Sequence, residues 1–510
     1  MKAVTAQEMQ QIDRYAIDDL GLPGSVLMAI AGKSIADYII THEDASQIII
    51  FVGSGNNGGD GLVAAYYCHN HGLSVQIYLT APQEKLTEDS ALYYNLCKNA
   101  DIDIVHIKNE GDVNLPHGDA LIIDALFGTG FEGSLRSFYP QLIEIINSSG
   151  LPVVSADIPS GLPSDGQGPQ NICVKADVTI TMGLPKISLK TFPGIQFCGE
   201  VIVSDLGFPQ KYIDDLNLTV NIVDKVFIKK SFNEEIDPYS YKGSNGHLVI
   251  IGGSPSMEGA ALLGALGALE TGIGLLTICT FKESRDIIAG KIPEAMSFAY
   301  DASSRGDDIE NMLGEKKVSS VVFGPGIGRE PIALDILNKL FGLLSENVFK
   351  TLLIDGDGLY ALKLYLEDND IPASLKNRIA LTPHFGEASY LFNKTVDELK
   401  NNHLLAAQEL SEKINAIVLL KGPSTITTDK AKSYINTTGN ASMAVGGSGD
   451  VLSGICGALL ARGYSEMDAL VYGAYIHGRA GDLAQERLKK NLLRAGDIVD
   501  SIAEVLLELQ

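Results

Sequence analysis

The stretch Ile48-Ile49-Ile50-Phe51-Val52-Gly53-Ser54-Gly55-Asn56-Asn57-Gly58-Gly59-Asp60-Gly61-Leu62 decides how the first part of the chain is read. Its apolar run, Ile48 to Val52, reads as a buried strand, and the helix-like segment Leu62 to His71 follows the glycine-rich loop directly. Gly53, Gly55 and Gly58 satisfy G-x-G-x-x-G in the setting that gives the motif meaning, with bare backbone amides and a helix N-terminus facing a pyrophosphate. A dinucleotide dehydrogenase would also carry a carboxylate at the end of the next strand, to hold a ribose hydroxyl. That strand ends Gln76-Ile77-Tyr78-Leu79-Thr80, without one. Asn56, Asn57 and Asp60 add side-chain oxygens that a phosphate cradle does not require, which points to a ligand with polar groups or to a hard cation. The competing reading is a tight turn that is merely glycine-rich; the agreement of strand, loop and helix weighs against it.

The alternation continues outward through Val75 to Leu79, Leu121 to Leu126, Val153 to Ala156, Val178 to Met182 and Val201 to Ser204. Apolar runs separated by helix-like segments define an α/β domain with a mostly parallel sheet. Two further loops follow strands: Asp124-Ala125-Leu126-Phe127-Gly128-Thr129-Gly130 and Ser155-Ala156-Asp157-Ile158-Pro159-Ser160-Gly161. Ligands gather outside the carboxyl ends of the strands in such a sheet, so the three loops can converge. A single Asp after a strand is more often a cap or turn residue, but three such loops in one domain shift that balance. At the start of the chain, Thr5 and Glu8 read as a capping box that opens a helix.

The whole chain bounds the function. Its 510 residues suffice for two or more domains, and 63 acidic against 39 basic side chains leave a formal charge of −24, which repels phosphate backbones and anionic membrane surfaces. No Lys/Arg run offsets this, so neither nucleic acid nor membrane is expected as a partner. The six cysteines (Cys68, Cys97, Cys173, Cys198, Cys279, Cys456) form no C-x-x-C pair, and the N-terminus has no basic region followed by an apolar core. Both features fit reduced thiols in a cytoplasmic protein. Gly259 to Ile278 carries one charge, Glu270, yet its glycines and its β-favouring end read as a buried helix followed by a buried strand rather than a membrane span.

After Asn221 the pattern loosens, and a second apolar series begins: His247 to Ile251, Leu275 to Thr280, Val321 to Phe323, Thr351 to Ile354, Ile379 to Leu381 and Ile417 to Leu420. We therefore expect one domain over 1–225, a linker over 226–237 and a second domain over 238–510. The strongest local signal of the second half is Asn440-Ala441-Ser442-Met443-Ala444-Val445-Gly446-Gly447-Ser448-Gly449-Asp450, before the helix-like Val451 to Ala461. Gly446, Gly447 and Gly449 let successive amides point at one spot beside a helix N-terminus, an arrangement suited to a transferring phosphoryl group. Asp450 stands where a base could reach a hydroxyl; its plainer reading is an acidic first-turn residue complementing the helix dipole. Lys421, Ser424 and Thr425 can serve phosphates, whereas His384 alone would more often be a capped loop histidine.

Asn56-Asn57-Gly58-Gly59-Asp60-Gly61 together with the Asp124 and Asp157 loops resembles the NAD(P)H-hydrate epimerase family, over residues 1 to about 225. The resemblance implies a Rossmann-like three-layer sandwich that interconverts the R and S epimers at C6 of hydrated NADH or NADPH. It assigns a potassium ion to Asn57, Asp124 and Ser160. Substrate contacts fall to Asn56, Asn57, Gly58, Gly59 and Asp60, to Gly128, Thr129, Gly130, Phe131, Glu132, Gly133 and Ser134, and to Asp157. Many members read Glu-Asn-Ala-Gly where this chain has Ala29-Ile30-Ala31-Gly32, and some carry a basic residue near Glu132. Opening and re-addition at C6 needs a positioned carboxylate, and Asp157 is the expected acid/base.

The second half resembles the ribokinase-like superfamily through Gly447-Ser448-Gly449-Asp450. With Gly259-Ala260-Ala261, Gly324-Pro325-Gly326, Thr382-Pro383-His384 and Lys421-Gly422 it resembles, more narrowly, the ADP/ATP-dependent NAD(P)H-hydrate dehydratase family. That likeness implies a ribokinase-like α/β domain in which Lys421, Gly422, Pro423, Ser424, Thr425 and Gly449 bind the adenine nucleotide, while Ala260, Gly326, His384 and Asp450 contact the hydrate. Asp450 is the expected catalytic base. The cofactors so implied are potassium for the first domain and ADP, or ATP, with magnesium for the second. The partners are NADHX and NADPHX, the hydrates of NADH and NADPH, and a homo-oligomer is expected. The rival reading is a ribokinase-like small-molecule kinase with a non-catalytic N-terminal binding module.

Overall fold

A computed structural model describes residues 1–116, 118–131, 133–232 and 238–510. The chain divides into two compact units, 2–220 with 401–403, and 1 with 221–400 and 404–510. The strand Val220–Val223 is not part of the first unit's sheet, and the helix Lys225–Ser231 occupies much of the segment expected as a linker; the rest, 233–237, lies outside the described residues.

In the first unit seven strands are hydrogen-bonded in the order Asp103–His106, Ser74–Leu79, Gln47–Val52, Ala120–Ala125, Val153–Ala156, Val178–Met182, Glu200–Ser204. Every pairing is parallel. Along Gln47–Val52, Ile48, Ile50 and Val52 join one apolar cluster while Ile49 and Phe51 join another, so side chains alternating across the strand are buried on both faces. This is why the run reads as continuously apolar. The capping box at Thr5 forms as expected, with Glu8 N donating to Thr5 Oγ1 at 3.1 Å and Thr5 N donating to Glu8 at 2.8 Å.

The helix after Gln47–Val52 starts earlier than its sequence suggests, at Asn56 rather than Leu62. Asn56 to Gly61 are therefore helical residues, with Gly55 as N-cap. A Cβ at Gly58 would stand 2.2 Å from the carbonyl oxygen of Gly53, which explains glycine inside a first turn: it lets the helix fold back on the loop that precedes it.

The second unit carries the parallel run Met296–Tyr300, Leu275–Phe281, His247–Ile251, Ser320–Phe323, Thr351–Ile354, Ile379–Leu381, Ile417–Leu420. Ile426–Thr428 and Ser433–Asn436 extend it antiparallel. Helices Glu258–Glu270 and Ser448–Ala461 pack together so closely that a Cβ at Gly454 would meet the Gly264 carbonyl at 1.9 Å. The apolar stretch from Gly259 to Ile278 is thus a core helix and strand, and no helix among the described residues is long and apolar enough to cross a membrane. All six cysteines are buried and free.

Candidate functional sites

In the first unit the strand order reverses between Gln47–Val52 and Ala120–Ala125, and a cavity of about 660 Å³ opens beyond their carboxyl ends. Of the residues expected to touch substrate, Asn56, Asn57, Asp60, Gly128, Thr129, Gly130, Phe131 and Asp157 line it. Gly58 and Gly59 do not; they are buried in the helix, Gly59 against Met28 and Ser90. Gly133 and Ser134 also lie off this wall, and Glu132 falls outside the described residues.

Asp124 and Ser160 are fully buried behind the cavity. Ser160 N donates to Asp124 Oδ2 at 2.9 Å, Ser160 Oγ accepts from Phe127 N at 2.9 Å, and Asn57 Nδ2 donates to the Phe127 carbonyl at 2.9 Å. Asn57 Oδ1 is buried with no hydrogen-bond partner among the described residues. An orphaned amide oxygen beside a carboxylate, a hydroxyl and a carbonyl is a donor set matched to a hard cation.

Asp157 occupies the left-handed region at φ 63°, a conformation that a non-glycine residue holds only when its surroundings impose it. They do so through its side chain: Oδ1 accepts from Met182 N at 3.0 Å, from Thr181 Oγ1 at 3.2 Å and from the ammonium of Lys186. Lys186, 0% exposed, also donates to Thr181 Oγ1 at 3.1 Å and to the Met182 carbonyl at 3.0 Å. Neither Lys186 nor Asp13, another residue of this cavity, was singled out from sequence. Lys186 in Leu184-Pro185-Lys186, directly after an apolar strand, carried a signal that could have been used; Asp13, between Ile12 and Arg14, carried little.

The second unit reverses its strand order between His247–Ile251 and Ser320–Phe323. Ala260, Gly326, His384 and Asp450, the expected hydrate contacts, line one cavity of about 680 Å³. A second cavity of about 890 Å³ shares His384 and Gly386 with it and is lined by Lys421, Gly422, Pro423, Thr425 and Gly449. Ser424 is buried in the same loop and is absent from that wall. The isolated parallel bridge between His384 and Lys421 ties the two loops together where the cavities adjoin. His384 itself caps the helix Phe385–Phe392: its Nδ1 accepts from Glu387 N at 3.1 Å while its own N donates to Glu387 at 2.8 Å.

Gly449 and Asp450 lie in the first turn of the helix Ser448–Ala461, with Gly447 as a left-handed N-cap at φ 90°. Ser448 and Gly449 line the second of these cavities and Asp450 the first, so the helix start, with its positive dipole end, lies where the two adjoin. Burial pushes the Asp450 carboxyl up to about 7; nearby Asp355 adds to the rise and Lys421 opposes it. Burial would lower Lys421, but Asp355, 2.9 Å away, and Glu387, 3.8 Å away, outweigh it and hold its pKa above the usual lysine value. Ser448 Oγ lies 3.1 Å from His477 Nε2, and burial pushes that imidazole down to about 4, so it is neutral at physiological pH.

The first unit is Rossmann-like in fold and the second ribokinase-like, each with an aspartate on a cavity wall near a glycine-rich helix start. Residues 24–188 match the family described as YjeF-related protein N-terminus, and residues 248–503 match NAD(P)H-hydrate dehydratase. The chain is 32% identical over 525 residues to the bifunctional NAD(P)H-hydrate repair enzyme Nnr of Moorella thermoacetica, covering 100% of this chain and 97% of that one. It is 34% identical over 523 residues to the enzyme of the same name from Thermofilum pendens, with 100% and 97% covered. The Bacillus subtilis ADP/ATP-dependent NAD(P)H-hydrate dehydratase, co-crystallized with ATP/Mg2+, shares the fold of the second unit, with 24% identity, a TM-score of 0.50, and 57% of this chain and 99% of that chain covered. This chain belongs to the family of bifunctional NAD(P)H-hydrate repair enzymes.

Proposed function

We propose that the first unit interconverts the R and S epimers of NADHX and NADPHX at C6, and that the second dehydrates the S epimer with ADP as phosphoryl donor, releasing NAD(P)H, AMP and phosphate. The observation that carries this reading is Asp450, poised near neutrality at the junction of two cavities and beside a helix N-terminus. Hydroxide is a poor leaving group. Asp450 takes the proton of the C6 hydroxyl, and the oxygen attacks the terminal phosphorus of ADP, which enters as its magnesium complex. The amides of Gly449 and its neighbours and the ammonium of Lys421 stabilise the charge that develops there. AMP leaves, the C6–O bond breaks with its electrons going to phosphate, and loss of a C5 proton completes the dihydronicotinamide ring.

In the first unit Asn57, Asp124 and Ser160 would hold potassium, whose charge would balance the buried Asp124 carboxylate and fix the Phe127 loop against the cavity. The orphaned Asn57 Oδ1 supports that assignment. The direct test mixes the purified chain with both NADH hydrate epimers and potassium, with and without ADP or ATP. Full nucleotide-dependent return of NADH absorbance is expected. Consumption of the S form alone would mean no epimerase; a stable phosphorylated product would favour the kinase reading; no return at all would overturn the proposal.

A further inference from the structure

The first cavity holds more ionisable groups than the single acid/base residue expected there. Asp13 enters from the helix Ala6–Arg14, Asp60 from Asn56–Asn70, and Asp157 and Lys186 from the segments that follow Val153–Ala156 and Val178–Met182. Asp89, from Glu88–Asn99, adds a further carboxylate to the wall. Lys186 directs its ammonium at Asp157, Thr181 and Met182, so this buried cation is committed to Asp157. Asp13 and Asp60 are removed from bulk water, and burial of this kind disfavours the charged form of a carboxyl. Burial pushes Asp13 up to about 6, with Lys186 opposing and Asp157 adding to the rise. Asp60 is pushed up as well, by burial first and then by Asp157. Of the two, Asp13 is the more exposed, being half-buried where Asp60 is 9% exposed.

Inversion at C6 requires a hydroxyl to leave one face of the ring and a water to add at the other. One group must protonate the departing oxygen and another must take the proton of the incoming water. Asp157 Oδ1 already accepts from three donors, so a second carboxyl on a different wall supplies what it lacks.

Resting on the epimerase reading above, we propose that Asp13 is a second acid/base residue of this cavity, working with the Lys186-paired Asp157. In one direction Asp13 gives its proton to the C6 hydroxyl, the C–O bond breaks with its electrons going to the departing water, and the ring nitrogen lone pair forms the C6=N1 iminium. Water then adds at the opposite face, and its proton passes to Asp157. Transfer from Asp157 back to Asp13 through cavity water restores the starting state, so no proton is gained or lost.

The test uses the full chain with potassium. Epimer interconversion is followed chromatographically between pH 5 and 8.5 after subtraction of the uncatalysed rate, with dehydration of the S form as a control in the other unit. For the parent, the rate should fall as pH rises past about 6. Asp13→Asn should lower the rate at pH 6 by about a hundredfold or more and abolish that alkaline limb, while dehydration of the S form is unchanged. Asp13→Glu should keep the limb and part of the rate, which separates lost chemistry from lost folding. An Asp13→Asn enzyme with the parental rate and limb would overturn the proposal and leave the epimerase reading intact. If Asp13→Asn does not fold, an Asp13→Glu enzyme without the limb overturns it. A parent that interconverts nothing overturns both.

Discussion

The two units each place an aspartate on a cavity wall near a glycine-rich turn, but they surround it differently. Asp157 lies on a loop in a left-handed conformation, in an ion pair with a fully buried lysine. Asp450 lies in a regular helical turn, and its nearest lysine is shared with Asp355 and Glu387. The local motif does not decide what surrounds an aspartate; the tertiary packing does. Lys186 is committed to Asp157 and ties it into a hydrogen-bonded frame, whereas burial, with Asp355 adding to the rise and Lys421 opposing it, sets Asp450 to titrate near neutrality.

The largest effect should come from Asp450→Ala, which removes the proposed base and should slow NADH return from the S hydrate by about a thousandfold while leaving epimer exchange untouched. A parental rate would end the contrast between the two aspartates. Lys186→Met should strand Asp157 as an uncompensated buried carboxylate and cost about 3–5 kcal/mol of the first unit's stability, read as a lower urea midpoint at constant slope. An unchanged midpoint would show that the pair is not the frame described.

The third contrast is in pH. Because the folded Asp450 carboxyl loses its proton only near about 7, dehydration should accelerate as pH rises through that range and the base forms. The same shift has an opposite effect on stability: the folded state binds this proton more tightly than the unfolded chain, so Asp450 removes stability progressively as pH rises from about 3.8 towards about 7. Asp450→Asn should therefore be inactive yet more resistant to urea than the parent at pH 8, and equal urea resistance would contradict the assigned shift. The smallest effect is expected from Gly449→Ala. Its Cβ would meet Lys421 Nζ at 3.3 Å, a contact the flexible ammonium can yield to, so the nucleotide KM should rise only severalfold in steady-state assays.

Much of the fold was legible because parallel strands buried on both faces leave continuous apolar runs, as at Ile48 to Val52. Short or edge strands such as Asp103–His106, Met296–Tyr300 and Ser433–Asn436 went unread because polar residues interrupt them. The early start of the helix at Asn56 was hidden by its glycines, which weaken helix propensity but are required there by the approach to Gly53. Asn57, Asp124 and Ser160 could be named from motifs, each being tied to a strand end. Asp13 could not, because a single acid on an amphipathic helix looks like any solvated residue.

By itself the sequence determined the two α/β units, the glycine-rich turns at their strand ends and the aspartates that follow them, since periodicity and turn chemistry are local properties of the chain. Its acidity weighs against polymeric anions as partners, and glycine-lined cavities, with Lys421 on the wall of one of them, offer small anionic ligands local backbone amides instead. Only the tertiary structure decided which cation faces which carboxylate. It buried Lys186 against Asp157, brought Asp13 to the same cavity and drew Lys421 towards Asp355, because proton affinity depends on distance and dielectric, and neither is written in the order of residues.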